Sequence, residues 1–299
     1  MSGVRLTDGG LETSLVFHQG LDLPLFAAFP LVETEMGRAA LRRYWRPYME
    51  LAGEKGAGFV VDTATWRANT DWAAQLGYDA DSLGMANAAA ARFARGLATQ
   101  LDDAVVNGVV GPRGDGYVVG NVMSPDEAAD YHRPQVAALA DAGVDQVSAI
   151  TFTYAQEAVG FVRAATSVGL PAVVSFTVET DGRLPSRQQL HDAVETVDDL
   201  TDRAPVGFMI NCAHPAHFEH ALVDGDWLRR LTGVRANAST MSHAELDAAD
   251  ELDDGDPADL AMRYRQLSRQ LPALQILGGC CGTDHRHIRA ISDACGVPG

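Results

Sequence analysis

Three cysteines lie at positions in this sequence that are suited to binding a metal. Cys280 and Cys281 are adjacent, inside the segment 278–283, which reads GGCCGT and follows an apolar run. Neighbouring side chains of a strand point to opposite faces, so both sulfurs can reach one point only if the backbone turns, as the flanking glycines allow. Cys212 follows a second apolar run, at residues 206–211. Three thiols at the ends of two apolar runs predict a zinc site with one open position, as in catalytic zinc centres.

Other interpretations of these residues remain open. Vicinal cysteines can also be small buried hydrophobic residues, or they can form a strained disulfide with each other. His214, His285 and His287 lie near the cysteines in sequence and could supply a fourth ligand, but a site closed by four protein ligands would be structural. Cys295 lies outside the motifs, and we interpret it as structural or incidental.

The composition indicates which classes of partner to expect. The chain has 299 residues, 46% of them apolar, and a formal net charge of −17. Nonspecific binding to nucleic acid needs a basic surface, and the acidic net charge of this chain argues against such binding. Four cysteines without the spacing of a disulfide framework favour a reducing compartment, and no signal peptide or membrane-spanning run is evident. We therefore expect a cytoplasmic protein that binds small molecules, with homo-oligomerisation left open.

Eight apolar segments alternate with eight helical patterns along the chain. The apolar segments are short and rich in Val and Ile, which is typical of strands that are buried on both faces of a parallel sheet. The predicted strands are residues 4–8, 58–63, 104–110, 145–151, 172–177, 206–211, 233–236 and 274–277. The predicted helices are residues 35–54, 81–101, 124–142, 154–168, 187–203, 215–231, 257–271 and 284–294.

This alternation predicts an α/β protein, a (β/α)8 (TIM) barrel that forms one domain over residues 1–299. An open doubly wound sheet is the alternative, but the first strand is followed by DGGLET, which is not a dinucleotide-binding fingerprint. In a barrel, the C-terminal ends of the strands form one mouth, where active sites lie. The three cysteines would meet there with polar residues from other strand ends, and the candidate substrate contacts among them are Asp8, Gly9, Thr63, Asn211 and Asn237.

The motifs also resemble those of the homocysteine S-methyltransferase family. DGG at residues 8–10, GP at 111–112, NC at 211–212 and GGCCGT at 278–283 occur in the order of that family's motifs, over nearly the whole chain. GGCCGT is highly specific, whereas DGG alone is weak. The resemblance implies a (β/α)8 barrel in which the three motif cysteines hold Zn²⁺ and the acceptor thiol, homocysteine in this family, completes the coordination.

The implied reaction is transfer of a methyl group to the zinc-bound thiol. A free alkyl thiol is mostly protonated at neutral pH, and binding to zinc deprotonates it. Three cysteine thiolates and one substrate thiolate leave the zinc centre with a net negative charge, which keeps the bound sulfur nucleophilic and favours a cationic methyl donor. Because the barrel uses the whole chain, no module for cobalamin or folate remains. We expect a small donor such as S-methylmethionine, S-adenosylmethionine or a betaine.

The resemblance assigns further roles to residues at the mouth. By this resemblance, Asp8 would bind the ammonium group of the acceptor. Asn211 precedes a cysteine of the motifs, so from its position it could orient the site through hydrogen bonds or equally satisfy the backbone of the loop. Trp66, Trp72 and Tyr154 follow predicted strands, so they could face a methylated cation, although packing in the core or at the rim explains them better.

One position departs from the family pattern. Ile150 stands after the fourth strand, where the family carries a glutamate that helps to bind the amine of homocysteine. Glu157 or Glu179 could replace that glutamate, or the acceptor is a different thiol or selenol. Asn237 lies in ANAS, an imperfect match to the family's PNAG. A zinc hydrolase and a non-catalytic protein that binds zinc or thiols remain alternatives on the same barrel.

Overall fold

The eight predicted strands close into a barrel. In the computed structural model, which describes residues 3–223 and 225–297, eight parallel strands pair in chain order and the first also pairs with the last. Leu6 on the first strand lies beside Phe59 on the second and beside Leu277 on the last. The predicted (β/α)8 barrel is therefore confirmed. The ends of the predicted domain, residues 1–2 and 298–299, lie outside the described residues.

The strands are short and mostly buried. Every residue of the second, fifth and sixth strands is buried, because side chains fill the barrel interior and helices cover its outer face. The strands are β1 (Arg5–Leu6), β2 (Gly58–Asp62), β3 (Ala104–Val110), β4 (Gln146–Phe152), β5 (Ala172–Phe176), β6 (Gly207–Asn211), β7 (Leu231–Ala236) and β8 (Ile276–Gly279).

Helices follow the strands around the barrel. The α-helices are α1 (Leu11–Thr13), α2 (Glu35–Glu54), α3 (Thr70–Gln75), α4 (Ala80–Ala98), α5 (Pro125–Asp141), α6 (Ala155–Ser167), α7 (Leu190–Leu200), α8 (Pro215–Phe218), α9 (His243–Asp247), α10 (Pro257–Gln270) and α11 (His285–Ala294). Short 3-10 turns occur at Pro24–Phe26, Phe29–Glu33, Glu219–Ala221 and Asp226–Arg230, and a π-helical turn occurs at Ser14–His18.

Most predicted elements agree with the structure to within three residues at each end. The helix predicted from Ser124 shows why: the Ser124 side chain accepts from the backbone of Glu127, whose side chain accepts from the backbone of Ser124. This capping box satisfies two otherwise unpaired N–H groups. Such local pairs can be recognised from the sequence alone.

The predicted helix 215–231 is wrong. The chain forms only the short helix α8 there, then two 3-10 turns, and Leu231 already belongs to β7. An Asp-Gly pair interrupts the segment, and such pairs favour turns over helix. Residue 224 of the predicted helix lies outside the described residues. No helix of the described chain is long and apolar enough to cross a membrane.

Candidate metal centre and active site

The three motif cysteines converge at the mouth of the barrel, as predicted. The sulfur atoms of Cys212, Cys280 and Cys281 lie within 4.8 Å of one another. The sulfur atoms of Cys212 and Cys280 are in direct contact, and Sγ of Cys281 is 3.9 Å from Sγ of Cys212. Because the three sulfurs share one point, their thiolate forms offer three ligands to one cation.

The backbone turns sharply at both cysteine segments. Cys212 has a φ of 53°, in the left-handed region, which turns the chain away from the direction of β6. Its carbonyl oxygen accepts hydrogen bonds from Nδ2 of Asn237 at 3.1 Å and from Nε2 of His243 at 2.5 Å. After β8, Gly282 has a φ of 78°, and a Cβ there would lie 2.7 Å from the carbonyl oxygen of Asp253. Glycine is therefore required at position 282, both because the backbone adopts a positive φ and because a larger residue would clash with Asp253.

The turn after β8 is also fixed by hydrogen bonds. The hydroxyl of Thr283 donates to the carbonyl oxygen of Cys280 at 2.7 Å, and the backbone N–H of Cys280 donates to Ala236 of β7 at 2.8 Å. A Cβ on Gly10 would lie 2.7 Å from the same Cys280 oxygen. The DGG segment after β1 consequently packs directly against the cysteine pair.

A small cavity, which we call the inner cavity, adjoins the three cysteines. Its volume is about 70 Å³, and it lies at the C-terminal ends of the strands, where barrel active sites form. Four of its lining residues, Asp8, Gly9, Thr63 and Asn211, were predicted to contact the substrate. The lining residues are Asp8, Gly9, Gly10, Leu11, Glu12, Thr13, Phe26, Asp62, Thr63, Trp66, Val109, Tyr117, Ile150, Thr151, Asn211, Cys212, Arg235, Cys280 and Cys281.

Asp8 also lines the inner cavity, but its carboxylate already has partners. Nη2 of Arg235 lies 2.5 Å from Oδ1 of Asp8, and the hydroxyl of Tyr44 donates to Oδ2 at 3.0 Å. Arg235 also pairs with Asp62, which accepts from Nδ2 of Asn107 at 2.7 Å. Burial raises the pKa of Asp8, and the charge of Arg235 opposes that shift. The sequence pointed to Asp8 but not to Arg235, although a charged residue inside an apolar strand was a visible signal.

Glu12 brings a further carboxylate to the inner cavity from the short helix α1. Burial raises its pKa to about 7, and Asp8 adds to that shift, whereas its own backbone N–H, Arg67 and Arg235 oppose it. Glu12 lies two positions after the last glycine of DGG, and no pattern in the sequence marked it as functional. Its position only became informative once α1 was seen to pack against the cysteine pair.

Tyr117 covers the cysteines from the loop that follows β3. Its hydroxyl lies 3.4 Å from Sγ of Cys212 and 3.8 Å from Sγ of Cys281. Burial raises the pKa of this tyrosine well above its ordinary value, and Cys281 adds to the effect, so the hydroxyl keeps its proton and can donate it to sulfur. The ring packs on His243 with a centroid separation of 4.3 Å. No local pattern in the sequence marked Tyr117.

Asn211 holds the bulged end of β4. The pairing of β4 with β5 shifts register between Ala149 and Phe152, and Thr151 has a φ of 66°. Oδ1 of Asn211 accepts from the backbone N–H of Thr151 at 3.0 Å, and its Nδ2 donates to the Thr151 hydroxyl at 2.8 Å. Bulges of this kind redirect side chains next to active sites. Here Ile150 and Thr151 both reach the inner cavity.

A wider opening, the outer pocket, lies above the inner cavity and shares Thr13, Phe26, Trp66, Tyr117 and Cys281 with it. Its volume is about 360 Å³. Asn237, predicted to contact the substrate, lines this pocket rather than the inner cavity. The remaining walls carry four carboxylates, from Asp115, Asp247, Glu251 and Asp253, against one permanent cation, Arg67. Such walls suit a ligand that carries positive charge.

The other aromatic candidates lie further away. Trp72 stacks on the guanidinium of Arg67, 3.5 Å from its carbon, and donates from Nε1 to the carbonyl oxygen of Gly114 at 3.2 Å. The hydroxyl of Tyr154 accepts from the backbone N–H of Met123 at 3.1 Å. Neither residue lines the inner cavity or the outer pocket.

The candidate histidines make other contacts. Nδ1 of His214 accepts from the backbone of Ala216 at the start of α8, and burial lowers the pKa of His214 to about 4. His287 is buried against Asp284, and His285 is exposed. Within the described residues, the group able to hold a metal at the mouth consists of the three cysteines alone. An open thiolate site is the donor set expected for catalytic zinc.

Known proteins are similar to this chain over nearly its whole length. Residues 5–295 match the model of a family described as Homocysteine S-methyltransferase. Homocysteine S-methyltransferase 1 of Brassica oleracea var. italica is 24% identical over 97% of this chain and 93% of its own. Homocysteine S-methyltransferase 4 of Zea mays is 26% identical over 98% of this chain and 89% of its own.

A solved structure shares the fold over nearly its whole length. The homocysteine methyltransferase MmuM from Escherichia coli, in its oxidized form, superposes with a TM-score of 0.75 at 24% identity, over 98% of this chain and 96% of that one. Its metallated form superposes with a TM-score of 0.72 at 23% identity over the same shares.

Proposed function

Because the chain belongs to the homocysteine S-methyltransferase family, we propose that it transfers a methyl group from a small cationic donor to the thiol of homocysteine, giving methionine. The observation that carries this proposal is the convergence of three cysteine sulfurs, within 4.8 Å of one another, beside a cavity at the barrel mouth. The chain is accordingly a methyltransferase with a small-molecule thiol acceptor and a small-molecule methyl donor.

Zn²⁺ is the proposed metal, with Cys212, Cys280 and Cys281 in their reduced form as its ligands. Soft thiolates favour zinc over hard cations such as Mg²⁺ or Ca²⁺. Bound zinc lowers the pKa of a thiol, so the acceptor would be present as a thiolate at neutral pH. Three protein ligands leave one position for that acceptor.

The residues of the chain orient the reactants around this position. Asn211 fixes the end of β4 through its two hydrogen bonds to Thr151, and the hydroxyl of Tyr117 can donate to a sulfur ligand. Buried walls exclude water from the inner cavity, which protects an anionic nucleophile from solvation. The predicted substrate contacts remain part of this proposal, and they are Asp8, Gly9, Thr63, Asn211 and Asn237.

The outer pocket suits the methyl donor. Its acidic residues, among them Asp247 and Glu251, attract a sulfonium or quaternary ammonium group, and its aromatic residues can contact the methyl groups. The donor would enter above the cysteines and present a methyl carbon to the acceptor sulfur. Sulfur then forms a bond to that carbon, and the donor leaves with the bonding electrons as a neutral thioether or amine.

The test is mass spectrometry of the products formed by zinc-loaded protein with each donor and each thiol of a panel. The donors are S-methylmethionine, S-adenosylmethionine and glycine betaine, and the thiols include homocysteine and cysteine. We expect methionine from homocysteine and at least one cationic donor. Without a methylated thiol from any pair, or with hydrolysis of the donor instead, the proposed function is wrong. The variant Cys280→Ser/Cys281→Ser serves as the inactive control.

A further inference from the structure

Three carboxylates line the inner cavity, and two of them already pair with a buried cation. Asp8 and Asp62 both pair with Arg235, so their negative charges share a buried cation. The third, Glu12, has no hydrogen bond or ion pair to another side chain among residues 3–223 and 225–297, and Arg67 and Arg235 act on it only through space. Glu12 is therefore the carboxylate of this cavity that is available to a ligand.

The backbone fixes Glu12 beside the metal-binding cysteines. The N–H of Gly10 donates to the carbonyl oxygen of Thr283 at 3.0 Å, and the N–H of Gly282 donates to the hydroxyl of Thr13 at 3.4 Å. A Cβ on Gly10 would lie 3.1 Å from Cα of Cys281. Helix α1 is thus held against the cysteine segment on both sides of Glu12.

The chemistry of the proposed acceptor requires a group in this position. Three carbons separate the sulfur of homocysteine from its ammonium nitrogen, so a sulfur at the cysteines puts the ammonium inside the same cavity. An ammonium without a partner in a buried site would be strongly unfavourable. From β4, Ile150 presents only an apolar surface to the cavity, and Arg235 carries a positive charge.

The acidic residues named from the sequence do not meet this need. Glu157 accepts from the backbone of Arg113 at 2.7 Å and contacts His132, and it does not line the inner cavity. Glu179 contacts His243 and lies outside the inner cavity as well. Both carboxylates are thus already engaged elsewhere.

We infer that Glu12 binds the ammonium group of the acceptor and thereby selects amino-acid thiols over thiols that lack an amine. This inference rests on the proposed function. The bond is a charge-assisted hydrogen bond, and loss of such a bond typically weakens binding by about 10- to 100-fold. Glu12 is a specificity-determining residue here, because the reacting atoms are the acceptor sulfur and the donor methyl.

The test compares homocysteine with 4-mercaptobutanoate, which has the same chain and carboxylate but no amine. With zinc-loaded full-length protein, we expect Glu12→Gln to lower kcat/KM for homocysteine by about 10- to 100-fold, mainly through KM. We expect kcat/KM for 4-mercaptobutanoate to change less than about threefold. Glu50→Gln, an exposed position on α2, is the matched control and should leave both values unchanged.

Four outcomes overturn the inference. In Glu12→Gln, the three contrary outcomes are an equal loss of kcat/KM for both thiols, no loss of kcat/KM for either thiol, and a raised KM for the methyl donor alone. In the unmodified protein, the contrary outcome is an equal kcat/KM for both thiols. Glu12→Asp keeps the charge on a shorter side chain, so its preference for homocysteine should fall between those of the unmodified protein and Glu12→Gln. If Glu12→Gln does not fold, this variant decides, and an unaltered preference in it counts against the inference.

Failure of the proposed function can be distinguished from failure of this inference. Equilibrium binding of the two thiols to zinc-loaded protein can be measured by calorimetry without a methyl donor. If no methyl transfer occurs but homocysteine binds at least about tenfold more tightly than 4-mercaptobutanoate and Glu12→Gln abolishes the difference, Glu12 retains its role. Equal binding of both thiols overturns the inference whether or not methyl transfer is observed.

Discussion

Arg235 on β7 donates to Asp8 at the end of β1, with 2.5 Å between Nη2 and Oδ1. The same guanidinium contacts Asp62 on β2, so one buried cation joins strands on both sides of the barrel closure. Asp8 thus has a structural role that its position after the first strand does not reveal. A substrate ammonium at Asp8 would have to share the carboxylate with Arg235.

Replacing Arg235 should therefore destabilise the barrel. Arg235→Met leaves Asp8 and Asp62 buried without their cation, and removal of one partner from a buried ion pair typically costs about 3–5 kcal/mol. Urea denaturation should show a lower midpoint of unfolding by a corresponding amount. In the control, Arg46→Met removes an exposed arginine and should change the free energy of unfolding by less than about 0.5 kcal/mol. Equal midpoints for both variants would show that the buried ion pairs contribute no net stability.

The metal site gives a second prediction. Protein that is reduced and loaded with zinc should hold about one Zn²⁺ per chain, because three thiolates converge on one point. Cys280→Ser/Cys281→Ser should lose most of that metal when measured by plasma mass spectrometry after gel filtration. Cys295→Ser should retain it, because Cys295 lies after α11 and outside the cluster. Full zinc retention in the double variant would falsify the ligand assignment.

Donor charge gives a third prediction. A cationic sulfonium or quaternary ammonium donor should exceed methyltetrahydrofolate, whose methyl-bearing nitrogen is uncharged, in kcat/KM by at least about tenfold, which corresponds to only about 1.4 kcal/mol of charge complementarity. Equal or better rates with methyltetrahydrofolate would contradict this preference.

The acidic wall of the outer pocket refines that prediction. Asp247→Asn/Glu251→Gln should raise KM for a cationic donor by about two- to fivefold at low salt, because exposed charges contribute little and are screened. The difference should vanish at high salt. Asp250→Asn, which is exposed but does not line the pocket, is the matched control. A salt-independent loss would indicate a structural effect instead.

Moving the carboxylate across the inner cavity gives a fourth prediction. Ile150 faces the same cavity as Glu12, so a glutamate at position 150 can supply a charge from the opposite wall. In the Glu12→Gln background, adding Ile150→Glu should restore at least about tenfold of the lost preference for homocysteine over 4-mercaptobutanoate. Ile150→Leu in that background is the control and should restore none. If Ile150→Glu also restores none while zinc binding is intact, the ammonium does not lie between these two walls.

The sequence was sufficient for the architecture and for the cysteine cluster. Strands buried on both faces leave uniformly apolar segments, helices leave apolar residues at intervals of three and four, and Ser124 with Glu127 marks a helix start. Once eight strands alternate with helices, barrel closure brings Cys212 and Cys280 to the same mouth, whatever their separation in the chain. The helix predicted at 215–231 failed because its apolar spacing outweighed a turn signal inside it.

The roles of individual side chains were decided only by the tertiary structure. Arg235 and Asp8 lie 227 positions apart in the chain, and no local pattern records that they touch. Their contact removes Asp8 from the free charges of the inner cavity and leaves Glu12 as the available carboxylate. Tyr117 reaches the cysteines from a loop without a regular pattern. Periodicity and strand ends are local properties that a sequence displays directly, whereas the partner of a buried charge depends on how distant elements pack together.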